Sequence, residues 1–127
     1  DEGMDHLALE DGELVVAVHL PPQPPGLRSA YREIRVRGSI DFSLAGVAVG
    51  LVVEGDTVTS LSAGLTGTNA APLVVEIPAA DTETAATALE KAIQKAVSPV
   101  RTALIQPQYR RRAVAALAAH MVRDLAG

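Results

Sequence analysis

Residues 30–53 constrain the fold of this chain more than any other stretch. Charged and apolar side chains alternate at the start, which is the period of a β-strand, and a strand is predicted over residues 29–37. Residues 44–53 are apolar and rich in valine, which indicates a buried strand. Gly38 and residues 39–42 separate the two runs, so a turn or a single helical turn is expected there.

Arg32, Arg35 and Arg37 cannot share one face of a strand, because successive side chains point to opposite faces. Both faces of the first predicted strand therefore carry charge, and one of them is expected to meet a partner or another domain. In the next strand, Gly46, Ala48 and Gly50 recur at every second position. Small residues within a strand let another group pack close to the backbone.

Further strands are predicted at residues 13–20, 58–65 and 72–77, where valine and leucine dominate. Gly55 and Asp56 suit a two-residue hairpin turn, since such turns require positive φ angles. Alternation within residues 58–65 predicts one face with Val58, Ser60 and Ser62 and an opposite face with Thr59, Leu61, Ala63 and Leu65.

The segment 21–26 is rich in proline, which lacks a backbone N–H and has a fixed φ angle. A stiff, extended connector between two structural units is the preferred interpretation. A ligand for a domain that recognises proline-rich peptides is the alternative.

Helical periodicity begins after Pro78. Asp81 is a predicted N-cap, and a helix is expected to end at Ser98-Pro99. Pro107 fits the first turn of a last helix. The predicted apolar faces are Ala85, Leu89, Ile93 and Val97 on the first helix, and Val114, Leu117, Met121 and Leu125 on the last.

These elements predict an α+β domain, with an antiparallel sheet of three to four strands covered on one face by C-terminal helices. The chain of 127 residues is long enough for one domain with a modest aliphatic core. A net charge of −4 and only three aromatic residues argue against nucleic-acid binding. No apolar run is long enough to span a membrane. The absence of cysteine excludes disulfides and iron–sulfur ligation in this chain and is compatible with a cytoplasmic protein.

No catalytic constellation is evident. His6, His19 and His120 do not stand at a metal-ligand spacing, and no serine lies in a nucleophile elbow. Residues 64–69 contain two glycines but match neither a dinucleotide fingerprint nor a phosphate loop. A solvated or interface face is predicted for the arginines at 110–112. The first residue is Asp1, so the chain is expected to be a processed product or a fragment.

Three stretches carry a family resemblance. They are residues 13–21, the run from Tyr31 to Phe42 followed by residues 47–49, and Tyr109-Arg110-Arg111 with Leu117 and Leu125 behind it. In this order they resemble the C-terminal domain of the FAD-binding (medium) subunit of molybdenum hydroxylases, the family of xanthine dehydrogenase, carbon monoxide dehydrogenase and 4-hydroxybenzoyl-CoA reductase.

The resemblance implies a division at residue 26. Residues 1–26 would be a leader, strand and proline-rich linker from the flavin domain, and residues 27–127 the α+β C-terminal domain. The expected cofactor is FAD, bound mainly by an upstream domain, with molybdopterin and iron–sulfur clusters in partner subunits. Val15 and Glu33 map onto cofactor-contact positions; many relatives have lysine at the latter, so Glu33 departs from that variant.

The function implied is therefore a structural domain that supports electron transfer between iron–sulfur clusters and FAD and is not catalytic as an isolated chain. The expected partners are the flavin-binding domain, the iron–sulfur subunit and the molybdopterin subunit. The rival hypothesis is a free-standing protein-interaction module of the same fold without redox activity.

Overall fold

The computed structural model describes residues 9–38, 42–99 and 105–127. Within these ranges five strands precede two helices, the order that the sequence pattern predicts for an α+β domain. They are β1 (Arg28–Ile34), β2 (Ala45–Glu54), β3 (Thr57–Thr66), β4 (Leu73–Ile77), β5 (Ala80–Asp81), α1 (Thr82–Ala96) and α2 (Pro107–Ala126). The sheet is antiparallel with the order β1-β2-β3-β4, and the short β5 pairs with β3.

Both helices pack on the same face of the sheet, which we call the inner face. α2 lies mainly against β1 and β2, whereas α1 lies against β3, β4 and β5. Apolar side chains from the sheet and the helices meet there and exclude water. The largest fully buried side chains are Leu51, Leu65, Leu89, Ile93 and Met121. The predicted architecture is confirmed.

The β2–β3 hairpin has the predicted turn, but its register contains a bulge. Glu54 pairs with Thr57, and Gly55 between them has a φ angle of +60°. The pairing shifts by one residue between Val52 and Val53. A bulge of this kind reverses which side chains face the core, so Val58 is buried and Thr59 is exposed. The predicted faces of the strand are therefore wrong at these two positions, although the burial of Leu61, Ala63 and Leu65 is confirmed.

The predicted strand at residues 13–20 is wrong. Residues 9–26 are exposed and pair with no strand of the described chain. A strand needs a neighbour for its backbone hydrogen bonds, and high β-propensity alone does not supply one. β1 is also shorter than predicted, because β2 begins at Ala45 and offers no partner beyond Ile34. The turn predicted at residues 39–42 includes residues 39–41, which lie outside the described residues.

The predicted start of α1 is confirmed. The N–H of Thr84 donates to Asp81 Oδ1 at 3.0 Å, which satisfies one of the free donors of the first turn. The helix ends at Ala96, where the N–H of Val97 donates to the carbonyl of Ile93, two residues before the predicted stop at Ser98. The predicted face is correct, since its four apolar residues are all buried.

α2 begins at Pro107 as predicted but buries a wider face than the predicted stripe. It packs against both the sheet and the neighbouring α1, and its alanines allow both to approach closely. Leu117 and Leu125 are only partly buried at the margin of the core. Arg110 is buried, with only 8% of the residue exposed. This corrects its predicted position on a solvated or interface face. The deeply buried positions are Val114, Ala115, Ala118, Ala119, Met121 and Val122.

Neither helix in the described ranges is long and apolar enough to cross a membrane.

Candidate functional site

The opposite face of the sheet, which we call the outer face, has no helix or strand of the described chain packed over it. The strand register brings the small residues of β2 and β3 side by side there: Ala48 pairs with Gly64, and Gly50 pairs with Ser62. They form the floor of a groove of about 420 Å³. The groove is lined by Ser29, Ala30, Tyr31, Ala48, Val49, Gly50, Ser62 and Gly64.

Tyr31 extends from β1 across β2 at one end of this groove. A Cβ atom on Gly46 would lie 2.6 Å from the Tyr31 hydroxyl and 2.8 Å from Thr66 Oγ1. Such distances are too short for any side chain, so only glycine at this position permits Tyr31 to cross the strand. Tyr31 is nevertheless open to solvent, since the residue is 57% exposed.

Glu33 connects the Tyr31 hydroxyl to Arg35. The hydroxyl donates to Glu33 Oε1 at 2.7 Å, and Arg35 Nε donates to Glu33 Oε2 at 2.6 Å. The hydrogen bond from Tyr31, and then that from Arg35, lower the pKa of Glu33. The hydrogen bond to Glu33 is also the main cause that raises the pKa of Tyr31. At neutral pH the cluster therefore holds a phenol, a carboxylate and a guanidinium, an arrangement suited to orienting groups rather than to exchanging protons.

The structure does not bring the two sequence-predicted cofactor residues into one hydrogen-bonded site. Glu33 lies on β1 and bonds to Tyr31 and Arg35. Val15 lies in the exposed segment 9–26 and is itself 63% exposed.

Sequence reasoning found the small residues of β2 but missed their relation to other strands. The alternation of Gly46, Ala48 and Gly50 predicted a close approach by another group. In the structure Gly46 accommodates Tyr31, and Gly50 accommodates Leu27, whose Cδ1 would lie 3.5 Å from an added Cβ. Gly64 was not predicted to belong to this surface, because its position beside Ala48 follows from the strand register. An added Cβ on Gly64 would meet nothing within 4 Å.

No group of three or more potential metal-ligating side chains occurs in the described part of the chain. His120 is exposed on α2, with Nε2 3.7 Å from Asp124 Oδ2. The outer face therefore stands out by its shape and openness, not by a catalytic constellation.

No protein-family model matches the chain. It is similar to the carbon monoxide dehydrogenase medium chain of Afipia carboxidovorans, with 36% identity over 98 residues. That alignment covers 76% of this chain and 33% of the relative, so the chain spans about a third of the curated relative that it matches.

Solved structures show the same fold at lower identity. A Cu,Mo-CO dehydrogenase in its cyanide-inactivated form matches with a TM-score of 0.71 and 21% identity, over 84% of this chain and 39% of the matched chain. Quinoline 2-oxidoreductase from Pseudomonas putida 86 matches with a TM-score of 0.65 and 22% identity, over 80% of this chain and 38% of that one.

Proposed function

We propose that this chain, which belongs to the family of C-terminal domains of FAD-binding medium subunits of molybdenum hydroxylases, docks through its outer face onto a flavin-binding domain. In that position it would support electron transfer between iron–sulfur clusters and FAD. The observation that carries the proposal is the open groove, whose floor of small residues adjoins a preformed hydrogen-bonded cluster.

The residues present fit a secondary contact with FAD rather than its main binding site. The groove is shallow and open to solvent, so it can contact one side of a ligand without enclosing it. The chain has no glycine-rich loop that leads from a strand into a helix, which is the usual cradle for a pyrophosphate. An upstream domain would therefore hold most of the cofactor.

FAD, when bound, would supply the one- and two-electron chemistry, and this chain would supply only orientation and charge. Glu33 accepts hydrogen bonds with both carboxylate oxygens and so holds Tyr31 and Arg35 in place. Many relatives have a lysine at position 33, but the carboxylate of Glu33 cannot donate a hydrogen bond. We therefore assign the role of cationic donor on this face to Arg35. Glu33 thus contributes to the cofactor contact indirectly.

Val15 would contribute through a different element. Its segment is apolar and exposed, and it lacks a neighbouring strand in the described chain. We propose that residues 13–20 complete the structure of the flavin-binding domain and that Val15 reaches the cofactor from there. With this assignment, the part of the chain that belongs to the flavin domain and its linker ends at residue 26, and the C-terminal domain begins at residue 27.

The wider assembly is also part of the proposal. An iron–sulfur subunit and a molybdopterin subunit would complete the enzyme, which we expect to be cytoplasmic. Substrate oxidation or reduction would then take place outside this chain.

Flavin titration tests the proposal. We expect the purified chain to leave the absorption spectrum of FAD unchanged, and a longer polypeptide that includes the upstream domain to bind FAD. Tight binding of FAD by this chain alone would contradict the assignment of the cofactor to the upstream domain. Recovery from its native source without a molybdenum or iron–sulfur polypeptide would favour the free-standing interaction module instead.

A further inference from the structure

The proline-rich segment makes an ordered turn immediately before β1. The N–H of Leu27 donates to the carbonyl of Pro24 at 3.2 Å. Gly26 has a φ angle of +75°. Proline at the second position and a positive-φ glycine at the third are the residues of a type II β-turn, and Pro25 and Gly26 supply them.

This turn is attached to the outer face. The Leu27 side chain is half-buried above Gly50, where an added Cβ would lie 3.5 Å from Leu27 Cδ1. A Cβ on Gly26 would lie 3.9 Å from Cγ1 of Val52. An atom at either position would be at ordinary van der Waals distance, so Leu27 lies close over Gly50 and Gly26 lies near Val52 of β2. The chain therefore reaches the domain across the face that no helix covers.

The residue after the turn is anchored from the other side of the sheet. Arg28 Nη1 donates to the carbonyl of Leu125 at 2.9 Å and to that of Ala126 at 3.0 Å, at the end of α2. A cation is favourable at a helix C-terminus, where carbonyls lack partners within the helix. The chain is thus held on both faces within two residues.

The segment before the turn is stiff and leads to an exposed apolar segment, residues 14–20, which pairs with no strand of the described chain. Four of the five residues 21–25 are proline, whose φ angle is fixed. Further upstream, one side of the period-two pattern is apolar and open to solvent. Its members are Leu14 (73% exposed), Val16 (87%), Val18 (78%) and Leu20 (85%).

We infer that residues 21–27 form a rigid arm that fixes the direction in which the polypeptide leaves the outer face, so that the unit containing residues 14–20 is held over this face. The partner is the part of the same polypeptide that covers those apolar side chains. The inference rests on the proposed function for the identity of that unit. It goes beyond the proposed function in making the linker an orienting element rather than a flexible tether.

Spin-label distance measurement on this chain tests the arm. The chain has no cysteine, so Gln23→Cys and Lys95→Cys place one label on the arm and one on exposed α1. We expect a narrow distance distribution in this labelled parent. Combining Gly26→Ala with Leu27→Ser should broaden the distribution roughly twofold or more, because the turn and its contact with Gly50 are lost.

Gly55→Ala is the matched control. It introduces the same left-handed strain, at a φ angle of +60°, in the β2–β3 turn, away from the arm. The distribution should remain narrow in this variant. A broad distribution in the labelled parent, or no broadening in the double variant, would overturn the inference.

This measurement needs neither FAD nor a flavin-binding domain. A narrow distribution combined with failure to dock onto a flavin-binding domain would leave the arm standing and contradict the proposed function. A broad distribution combined with intact docking would contradict the arm alone.

Discussion

The two faces of the sheet are built from alternate residues of the same strands, yet they differ in almost every physical respect. On β2, Val47, Val49 and Leu51 point to the inner face and are fully buried, whereas Ala48 on the outer face is exposed. The inner face is closed by large aliphatic side chains from the helices. The outer face carries mainly small side chains, so its groove is shallow and open. The comparison indicates that the inner face provides the stability of the domain and the outer face remains free for close approach by another body.

Truncation in the core should have the largest effect. Leu89 on α1 is 0% exposed, so Leu89→Ala removes buried apolar surface and leaves a cavity. We expect a loss of about 2–5 kcal/mol in the free energy of unfolding, measured by urea denaturation.

Leu14→Ala is the matched control, because Leu14 is 73% exposed. The same truncation there should change stability by less than about 0.5 kcal/mol in this chain. Similar losses in the two variants would show that the segment before the linker is packed in solution, contrary to the structure.

Gly46→Ala should have the next largest effect and is the clearest change on the outer face. The added methyl group would overlap the Tyr31 hydroxyl and Thr66 Oγ1, so Tyr31 must move away from Glu33. Tyr31 is 57% exposed and can swing into solvent, so we expect a loss of about 0.5–1.5 kcal/mol in the free energy of unfolding, the contribution of one hydrogen bond. Tyrosine titration should also change, since the hydrogen bond to Glu33 is the main cause that raises the Tyr31 pKa. An unchanged titration would show that Tyr31 does not lie over Gly46.

Acid should weaken the helical layer through Glu83. Arg123 Nε and Nη2 both donate to this carboxylate, at distances of 2.9–3.1 Å, and lower its pKa. Because the folded-state pKa lies below that of the unfolded chain, the stabilisation is complete above the unfolded value and is lost as pH falls through the folded value. We expect the melting temperature to fall as the pH drops below about 4.3, the ordinary pKa of a glutamate.

Glu83→Gln provides the control for this pH dependence. The variant should be less stable than the parent at pH 7, and the difference should shrink as the pH falls, because the parent then loses the same interaction. Parallel melting curves of the two proteins across this range would exclude Glu83 as a contributor.

The inner face could largely be predicted from the sequence. It is encoded by patterns that lie within short windows of sequence. These are the valine-rich β2, the helical spacing of Leu89 and Ile93, and the Asp81 cap. The bulge that buries Val58 could not be predicted in this way, because it depends on how two strands pair.

The outer face was predicted only in part, for the same reason. Alternating small residues on β2 indicated a close approach, but the groove also requires Gly64 of β3, which strand register alone places beside Ala48. The contact between Tyr31 and Gly46 likewise joins two strands. The strand predicted around Val15 failed because β-propensity does not supply a neighbouring strand.

Gly64→Ala should have the smallest effect on the chain itself and the most direct effect on the proposed docking. The added methyl group would meet nothing within 4 Å, so the free energy of unfolding should change by less than about 0.5 kcal/mol. The same methyl group would stand in the groove. Thr87→Val, on the exposed side of α1, is a control on the opposite layer.

The decisive measurement is calorimetric titration of the parent chain, Gly64→Ala and Thr87→Val into a separately expressed flavin-binding domain. If the outer face is the docking surface, Gly64→Ala should weaken binding roughly tenfold, whereas Thr87→Val should bind like the parent. Equal affinity of the parent and Gly64→Ala for that domain would contradict the account.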